Sequence, residues 1–353
     1  MTVTTETPAQ PASKAPARKV VMNRAIREAL DWELANDPSV FLMGEDLGRF
    51  GGVYGTATGF IDKYGEDRVR DTPISEAGFM AAAAGAAMSG MKPIVELMFI
   101  DFMGVCLDPI YNFMAKHAVH TGGKQDMPVV IMSGIGGGYC DASQHSQTLF
   151  ATFAHLPGMK VVAPTNAYDA RGALHAAIRD PGPVLYLMHK ELLGLGLWGT
   201  MPEASANVPD EYFEIPLGKS FVRREGTDIT LVGLASMAHV ASRVATTLEK
   251  DGVSAEVIDL CSVVPLDRET IINSVRKTGR LVVIDEDYRT CGVAGEVIAS
   301  VVEEIGPQLL APPQRVAFLD TPIPFARPLE KFARPDEDKL LAAAYRTLEY
   351  KHG

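Results

Sequence analysis

A carboxylate at the start of an unusual helix is the first residue of the sequence whose position suggests chemistry. Glu76 follows Ser75, a residue type that commonly caps helices, and precedes a run of alanines and glycines that predicts a tightly packed helix. The helix dipole favours a negative charge there by roughly 0.3–1 kcal/mol, so a purely structural role would also explain the acid. The small side chains behind Glu76 indicate that a neighbouring helix or a ligand approaches this helix closely.

Two further positions combine a polar side chain with the end of a predicted strand. The apolar strand 40–43 runs directly into Glu45 and Asp46, and the glycine-rich loop 134–138 leads to His145. In open parallel sheets, ligands bind at the carboxyl ends of the strands, and imidazole groups transfer protons near neutral pH. The alternatives are an ordinary polar loop for the two acids and a structural role for the histidine.

Strand and helix patterns alternate along the chain, which predicts an α/β protein with two parallel-sheet domains. A stretch rich in glycine, proline and polar residues interrupts the alternation and predicts a linker. The predicted organisation is a flexible tail over 1–18, a first domain over 19–195, a linker over 196–215 and a second domain over 216–353.

Two local predictions complete the pattern. One helix is expected over residues 103–119. The acidic cluster Asp285, Glu286, Asp287 and Glu296 is expected to form a solvated loop, with a basic module of a partner protein as its possible ligand.

Composition narrows the function classes. The chain has 353 residues and a formal charge of −11, which argues against binding to nucleic acid or to an anionic membrane. Its four cysteines are far apart and form no CxxC pair, so we expect neither a zinc ribbon nor a disulfide framework but a reducing, cytoplasmic location. The sequence has no apolar run long enough for a membrane span, and a transit peptide is the alternative interpretation of the tail.

Several motifs in order resemble the beta subunits of thiamine-diphosphate-dependent 2-oxoacid dehydrogenase complexes. They are MGED (43–46), DTPISE (71–76), GMKPIVELMFIDF (90–102), SQHSQ (143–147), GMKVVAPTNAYDARGAL (158–174) and GRLVVIDE (279–286). The chain looks most similar to the acetoin dehydrogenase type, with pyruvate and branched-chain 2-oxoacid dehydrogenases as near alternatives. The resemblance implies a transketolase-like pyrimidine-binding domain followed by a transketolase C-terminal-type domain.

The resemblance also implies roles for individual residues. Glu76 matches the glutamate that hydrogen-bonds the aminopyrimidine ring of thiamine diphosphate, and Phe102 matches the aromatic residue that stacks on that ring. Ile74 matches a residue that lines the same pocket, and Glu45 matches an acid near the ring. His145 matches a histidine at the mouth of the active site that positions the substrate or the lipoyl group.

A structural monovalent-cation site, with K⁺ as its possible ion, is implied on residues that contribute mostly backbone carbonyls. These are Val129, Ala177, Ile178, Asp180 and Gly182. The family's GDG motif, which holds the cofactor's diphosphate and Mg²⁺, does not occur in this sequence. The resemblance therefore implies an alpha subunit that supplies this half of the site in an α2β2 heterotetramer.

The implied function is that of a dehydrogenase component that acts on a 2-oxoacid or acetoin. The component would transfer the acyl unit to lipoamide on an acyltransferase core. Half of a split transketolase and a non-catalytic scaffold subunit are the alternatives. The segments 116–120 and 140–141 and the residue Met188 depart from the usual family pattern, so the sequence does not identify the substrate.

Overall fold

Seven strands form the sheet of the first half of the chain in the computed structural model, which describes residues 18–196 and 201–351. From one edge to the other the order is β12 (Ser262–Val264), β6 (Lys160–Val162), β7 (Val184–His189), β5 (Val130–Ile135), β4 (Lys92–Phe99), β2 (Val40–Gly44) and β3 (Val69–Asp71). All pairs are parallel except β12 with β6. The predicted tail lies almost entirely outside the described residues.

Helices cover both faces of this sheet, which explains why its central strands are apolar throughout. Every residue of β2 and β5 is buried. The helices of this half are α1 (Met22–Asn36), α2 (Phe60–Tyr64), α3 (Glu76–Met88), α4 (His117–His120), α5 (Phe150–Ala154) and α6 (Ala167–Arg179). Residues of α1 and α6 share one apolar core with Leu42, while residues of α3 share the core on the other face with Val95.

A five-stranded sheet forms the second half. Its order is β14 (Gln314–Phe318), β13 (Leu281–Tyr288), β10 (Ile229–Gly233), β11 (Ala255–Asp259) and β9 (Phe221–Arg224), and only β9 runs antiparallel to its neighbour. The helices of this half are α7 (Ser236–Lys250), α8 (Arg268–Thr278), α9 (Val293–Ile305), α10 (Arg327–Ala333) and α11 (Glu337–Leu348). The predicted α/β class with mostly parallel sheets is confirmed.

The two halves are joined by a shared strand, a shared core and buried charges. Strand β12 comes from the second half by sequence, yet it pairs with β6 in the first sheet. One apolar core continues from Leu185 to Val297. Arg223 Nε lies 2.9 Å from Asp259 Oδ2, and its guanidinium also contacts Asp169 of the first half. These contacts fix the position of the second half against the first.

One local expectation differs from the structure. The predicted helix over 103–119 is instead a 3₁₀ turn (Ile100–Gly104), a π-helical turn (Pro109–Met114) and α4. Pro109 has no backbone N–H and therefore interrupts helical hydrogen bonding. Within the predicted linker, β8 (Ala206–Val208) pairs antiparallel with β1 (Arg18–Val20). Among the described residues, no helix is long and apolar enough to cross a membrane.

Candidate active site

The first sheet changes its winding direction next to β2. The chain passes from β2 to β3 on one side and then to β4 on the other side. In open α/β sheets, ligands bind in the crevice at this reversal, beyond the carboxyl ends of the strands. Glu45 directly follows β2, Glu76 begins the helix after β3, and Phe102 follows β4. The strand order therefore brings three of the sequence-predicted residues to one crevice.

Glu45 and Glu76 are buried neighbours in this crevice. Their exposed fractions are only 8% and 9%. Burial raises the pKa of Glu45, and the nearby charges of Glu76 and Asp46 raise it further. Within the described residues, Oε1 of Glu45 is buried without a hydrogen-bond partner. Such a carboxyl group retains its proton to a higher pH than usual and has an oxygen left for a ligand.

The start of α3 differs from the expected capping arrangement. Ser75 occupies the N-cap position, but its side chain makes no capping hydrogen bond; its hydroxyl instead donates to the carbonyl of Pro73 at 3.3 Å. The backbone N–H of Thr72 donates to the carbonyl of Gly44 at 3.0 Å and ties this segment to the end of β2. Glu76 is thus placed by the backbone connection to β2 rather than by a serine cap.

One face of α3 carries small residues and is exposed. It consists of Ala77, Gly78, Ala81, Ala82 and Gly85. A Cβ atom placed on Gly85 would meet no described atom within 4 Å. Within the described part of this chain, the close approach expected from the sequence occurs only on the buried side of α3, where Ala83 and Ala84 pack in the core, and the small-residue face stays uncovered.

His145 lies against two aromatic rings at the same edge of the sheet. Its ring centroid is 4.8 Å from that of Phe99 and 5.4 Å from that of Phe102, both edge to face. The predicted stacking residue and the predicted mouth histidine are therefore neighbours. Ile74 belongs to the segment before α3, and its side chain is 84% exposed.

A buried lysine holds the backbone at His145. Nζ of Lys190 lies 2.6 Å from the carbonyl oxygen of His145 and 2.8 Å from Oδ2 of Asp141. Lys190 is fully buried, and its ammonium lies 5.4 Å from the ring centroid of Phe99 and 5.3 Å from that of Tyr139. The sequence marked Asp141 as unusual but did not link it to Lys190, because 49 positions separate the two.

The five residues of the implied cation site lie at the opposite end of the first sheet. Val129 precedes β5, Ala177 and Ile178 belong to the last turn of α6, and the other two lie in the following loop. Asp180 accepts a hydrogen bond from the backbone N–H of Gly182 at 2.9 Å and also pairs with the ammonium of Lys160. Lys160 thus already supplies a positive charge to the one carboxylate of this group.

The acidic cluster of the second half is not a solvated loop, and that expectation is wrong. Asp285, Glu286 and Asp287 are 0%, 5% and 5% exposed, and of the four acids only Glu296 is exposed. Burial alone would raise the pKa of Glu286, but the charge of Arg334 and the hydrogen bonds that Glu286 accepts from Arg334 and His189 outweigh it and lower that pKa. Burial and Asp287 raise the pKa of Asp285 to about 7. A docking surface formed by these three acids is excluded by their burial.

His189, Ser236 and Glu286 have the residue types of a hydrolase triad, but their geometry excludes that role. The backbone N–H of Glu191 donates to Nδ1 of His189 at 3.3 Å, so the proton of the neutral ring lies on Nε2. Nε2 lies 3.0 Å from both Ser236 Oγ and Glu286 Oε2, and the serine hydroxyl donates to that carboxylate at 3.1 Å. A protonated Nε2 cannot accept the serine proton, as a general base must.

Comparison with known proteins places this architecture in a family. Residues 18–195 match the model of the transketolase pyrimidine-binding domain, and residues 218–340 match that of the transketolase C-terminal domain. The chain is 45% identical over 335 residues to the pyruvate dehydrogenase E1 component subunit beta-2, mitochondrial, of Oryza sativa subsp. japonica. That alignment covers 95% of this chain and 88% of the rice protein.

A bacterial relative is similarly close. The beta subunit of acetoin:2,6-dichlorophenolindophenol oxidoreductase from Cupriavidus necator is 43% identical over 343 residues, which cover 94% of this chain and 98% of that protein. The chain belongs to the beta subunits of thiamine-diphosphate-dependent dehydrogenases of the pyruvate and acetoin type. This confirms the resemblance seen in the motifs.

The fold is shared with a further solved structure. A split-gene transketolase, described as an inactive beta4 tetramer, matches with a TM-score of 0.74 and 25% sequence identity. The match covers 95% of this chain and 100% of that one. The transketolase-like, two-domain α/β fold of this beta-subunit family is therefore confirmed.

Proposed function

We propose that this chain is the beta half of an α2β2 dehydrogenase component that acts on a 2-oxoacid or acetoin and passes the acyl unit to lipoamide. The observation that carries the proposal is the pair of buried, adjacent carboxyl groups of Glu45 and Glu76 at the winding reversal of the sheet. The names of the rice and Cupriavidus relatives support the reaction class. The acyltransferase core is a further part of the proposal, as is a cytoplasmic location.

The crevice fits the aminopyrimidine end of thiamine diphosphate. Glu76 would hydrogen-bond a ring nitrogen and hold the shared proton, and the unused Oε1 of Glu45 offers a second acceptor nearby. Phe102 is only partly buried and would supply a stacking face, while Ile74 would line the pocket. When bound, the cofactor supplies an electron sink for the carbanion that carbon–carbon cleavage leaves. We assign Mg²⁺ to the alpha subunit. The monovalent cation is a further proposal, and its ligands would be mostly backbone carbonyls, because the Asp180 carboxylate already pairs with Lys160.

His145 would act later in the reaction. It lies beside Phe102 and is partly exposed, so its ring can reach a group that enters from solvent. An imidazole at that position can orient the acyl acceptor and give or take a proton as the acyl unit is transferred.

An alpha subunit would cover the exposed surface around Glu76. The small-residue face of α3 is open, and this helix packs against the π-helical turn Pro109–Met114. Large apolar side chains are exposed on the adjoining segments, namely Ile74 (84%), Val105 (65%), Phe113 (44%) and Val119 (81%). Exposed apolar surface of this kind is typical of a subunit interface.

Half of a split transketolase is the second candidate, because the split-gene transketolase shares the fold over 95% of this chain. The two functions differ in substrate: a transketolase half would act on sugar phosphates, whereas the proposed component would act on 2-oxoacids or acetoin. A non-catalytic scaffold would act on neither.

The testing experiment is a titration of the purified chain with a separately purified alpha subunit, Mg²⁺ and thiamine diphosphate. Assembly is followed by sedimentation and activity with pyruvate, branched-chain 2-oxoacids, acetoin and sugar phosphates. We expect no turnover from the isolated chain, and activity that rises together with assembly and with one of the first three substrates. Full turnover from the isolated chain would refute the divided site. An inactive assembly indifferent to the cofactor would favour the scaffold.

A further inference from the structure

Carboxylates of the second half bind the backbone of the loop that carries His145. This loop, residues 136–147, is called the histidine loop below. Oε1 of Glu330 accepts a hydrogen bond from the N–H of Gly138 at 2.7 Å, and Oε2 of Glu330 accepts one from Cys140 at 3.0 Å. Oε1 of Glu286 accepts one from Gly137 at 2.8 Å. Three N–H groups of a first-half loop are therefore satisfied by acids of the second half.

The bound part of the histidine loop has a backbone conformation that side chains disfavour. Cys140 and Ala142 have φ angles of 61° and 62°, in the left-handed region. Residues in this conformation are strained and persist only where the surroundings hold them. The Cys140 N–H donates to Glu330, so the carboxylate holds the loop at one of its two strained residues.

A cation holds other groups of the same loop. The ammonium of Lys190 binds both Asp141 and the carbonyl of His145, as described above. Glu330 is 2% exposed and Lys190 is fully buried. The histidine loop is therefore held by two buried charged groups. The Glu330 carboxylate accepts hydrogen bonds from its N–H groups, and the Lys190 ammonium donates hydrogen bonds to its oxygens. Charged groups make stronger hydrogen bonds than neutral groups, and salt screens the interactions of buried charges much less than those of exposed charges.

We infer that Glu330 is a positioning residue that keeps His145 beside Phe102, and that the second half of the chain thereby controls the acyl-transfer step without touching reacting atoms. The role of His145 comes from the proposed function, so this inference rests on it. Glu286 is less suitable as a probe because it also binds Arg334, His189 and Ser236. Both oxygens of Glu330, in contrast, are directed at the loop.

The first test measures the loop itself and does not depend on activity. Cys140 is partly exposed, so its rate of alkylation by iodoacetamide, measured by peptide mapping of the full chain, reports how firmly the loop is held. In Glu330→Gln the amide NH₂ group cannot accept from a backbone N–H, so one of the two hydrogen bonds is lost. Loss of a charge-assisted hydrogen bond corresponds to roughly tenfold faster alkylation.

The other cysteines are internal controls. Cys291 is exposed and should react at its parental rate, while the buried Cys106 and Cys261 should stay slow unless the fold is lost. Glu269→Gln, at an exposed glutamate of α8, is the matched control variant. If Glu330→Gln exposes the buried cysteines, Glu330→Asp replaces it in the test, because it keeps the charge but shortens the reach. A parental Cys140 rate in the variant that folds would overturn the inference.

The second test uses the assembled enzyme. Glu330→Gln should lower lipoamide-dependent kcat about tenfold and leave turnover with an artificial electron acceptor within about twofold of the parent. Faster Cys140 alkylation with both activities at parental level would overturn the positioning role, provided that His145→Ala impairs lipoamide-dependent turnover. If His145→Ala is also harmless, the proposed role of His145 has failed, and the positioning role of Glu330 fails with it.

Discussion

Glu96 is a buried acid of β4 whose ionisation should contribute to the pH dependence of stability. Burial raises its pKa from 4.5 to about 7, against the hydrogen bonds from the Thr56 hydroxyl and the Val53 backbone. Gly52 packs so closely that a Cβ there would collide with the carboxylate. Because the folded pKa lies above the unfolded value, the neutral acid's contribution is fully present below pH 4.5 and is lost as the pH rises through 7.

The size of the effect follows from that shift, because one pKa unit corresponds to about 1.4 kcal/mol. Between about pH 4.5 and pH 8, Glu96 should therefore reduce the free energy of unfolding by roughly 3 kcal/mol. Glu96→Gln cannot ionise, so its unfolding free energy relative to the parent should be higher at pH 8 than at pH 5 by up to this amount. Other groups that titrate near neutrality, such as Asp285, are present in both proteins and cancel.

Urea unfolding of the isolated chain, followed by circular dichroism at both pH values, measures this difference. Glu66→Gln, at an exposed acid, is the control and should show no pH-dependent difference from the parent. The reasoning is refuted if the difference between Glu96→Gln and the parent is the same at pH 5 and at pH 8. In that case Glu96 is already charged in the folded chain at the lower pH.

Two further predictions concern the histidine loop. His145→Ala should impair lipoamide-dependent turnover about 10²-fold or more and turnover with an artificial electron acceptor much less, because the imidazole is assigned to acyl transfer; equal losses in both assays would contradict that assignment. Asp141→Ala should lower the free energy of unfolding by roughly 1–3 kcal/mol, because the buried Lys190 ammonium loses one of its hydrogen-bond acceptors. The loss stays in this range because Asp141 is partly exposed, so that water can replace its carboxylate. Lys190→Met combined with Asp141→Ala should recover part of that loss in urea unfolding, and an additive loss would argue against the pairing.

Much of the fold followed from hydrophobic periodicity. The apolar strand predicted over 40–43 is β2 (Val40–Gly44), and the predicted alternation of strands and helices runs through both halves of the chain. A continuous apolar run identifies such a buried strand locally, without information from the rest of the fold. The prediction of one helix over 103–119 was wrong because it gave too little weight to Pro109. Proline has no backbone N–H and breaks the helical hydrogen-bonding pattern locally.

Ion pairs between residues far apart in the chain could not be predicted from the sequence. Glu286 was expected in a solvated acidic loop, but its partners Arg334 and His189 lie 48 and 97 positions away. Only the folded chain brings these groups together, and the same holds for Asp141 with Lys190. At the candidate site the sequence selected Glu45, Glu76, Phe102 and His145, and the structure places them at one edge of the sheet. Their catalytic roles stay predictions.

The central claim is that the Glu76 carboxylate activates a bound cofactor, and the turnover of Glu76→Gln tests it most directly. The variant keeps the size of the side chain but cannot take up or release a proton, so the assembled enzyme should lose about 10²–10⁴-fold in kcat. Assembly with the alpha subunit and thermal stability should match those of the parent and of the Glu66→Gln control. Turnover within a few-fold of the parent, in a variant that assembles normally, would contradict the account.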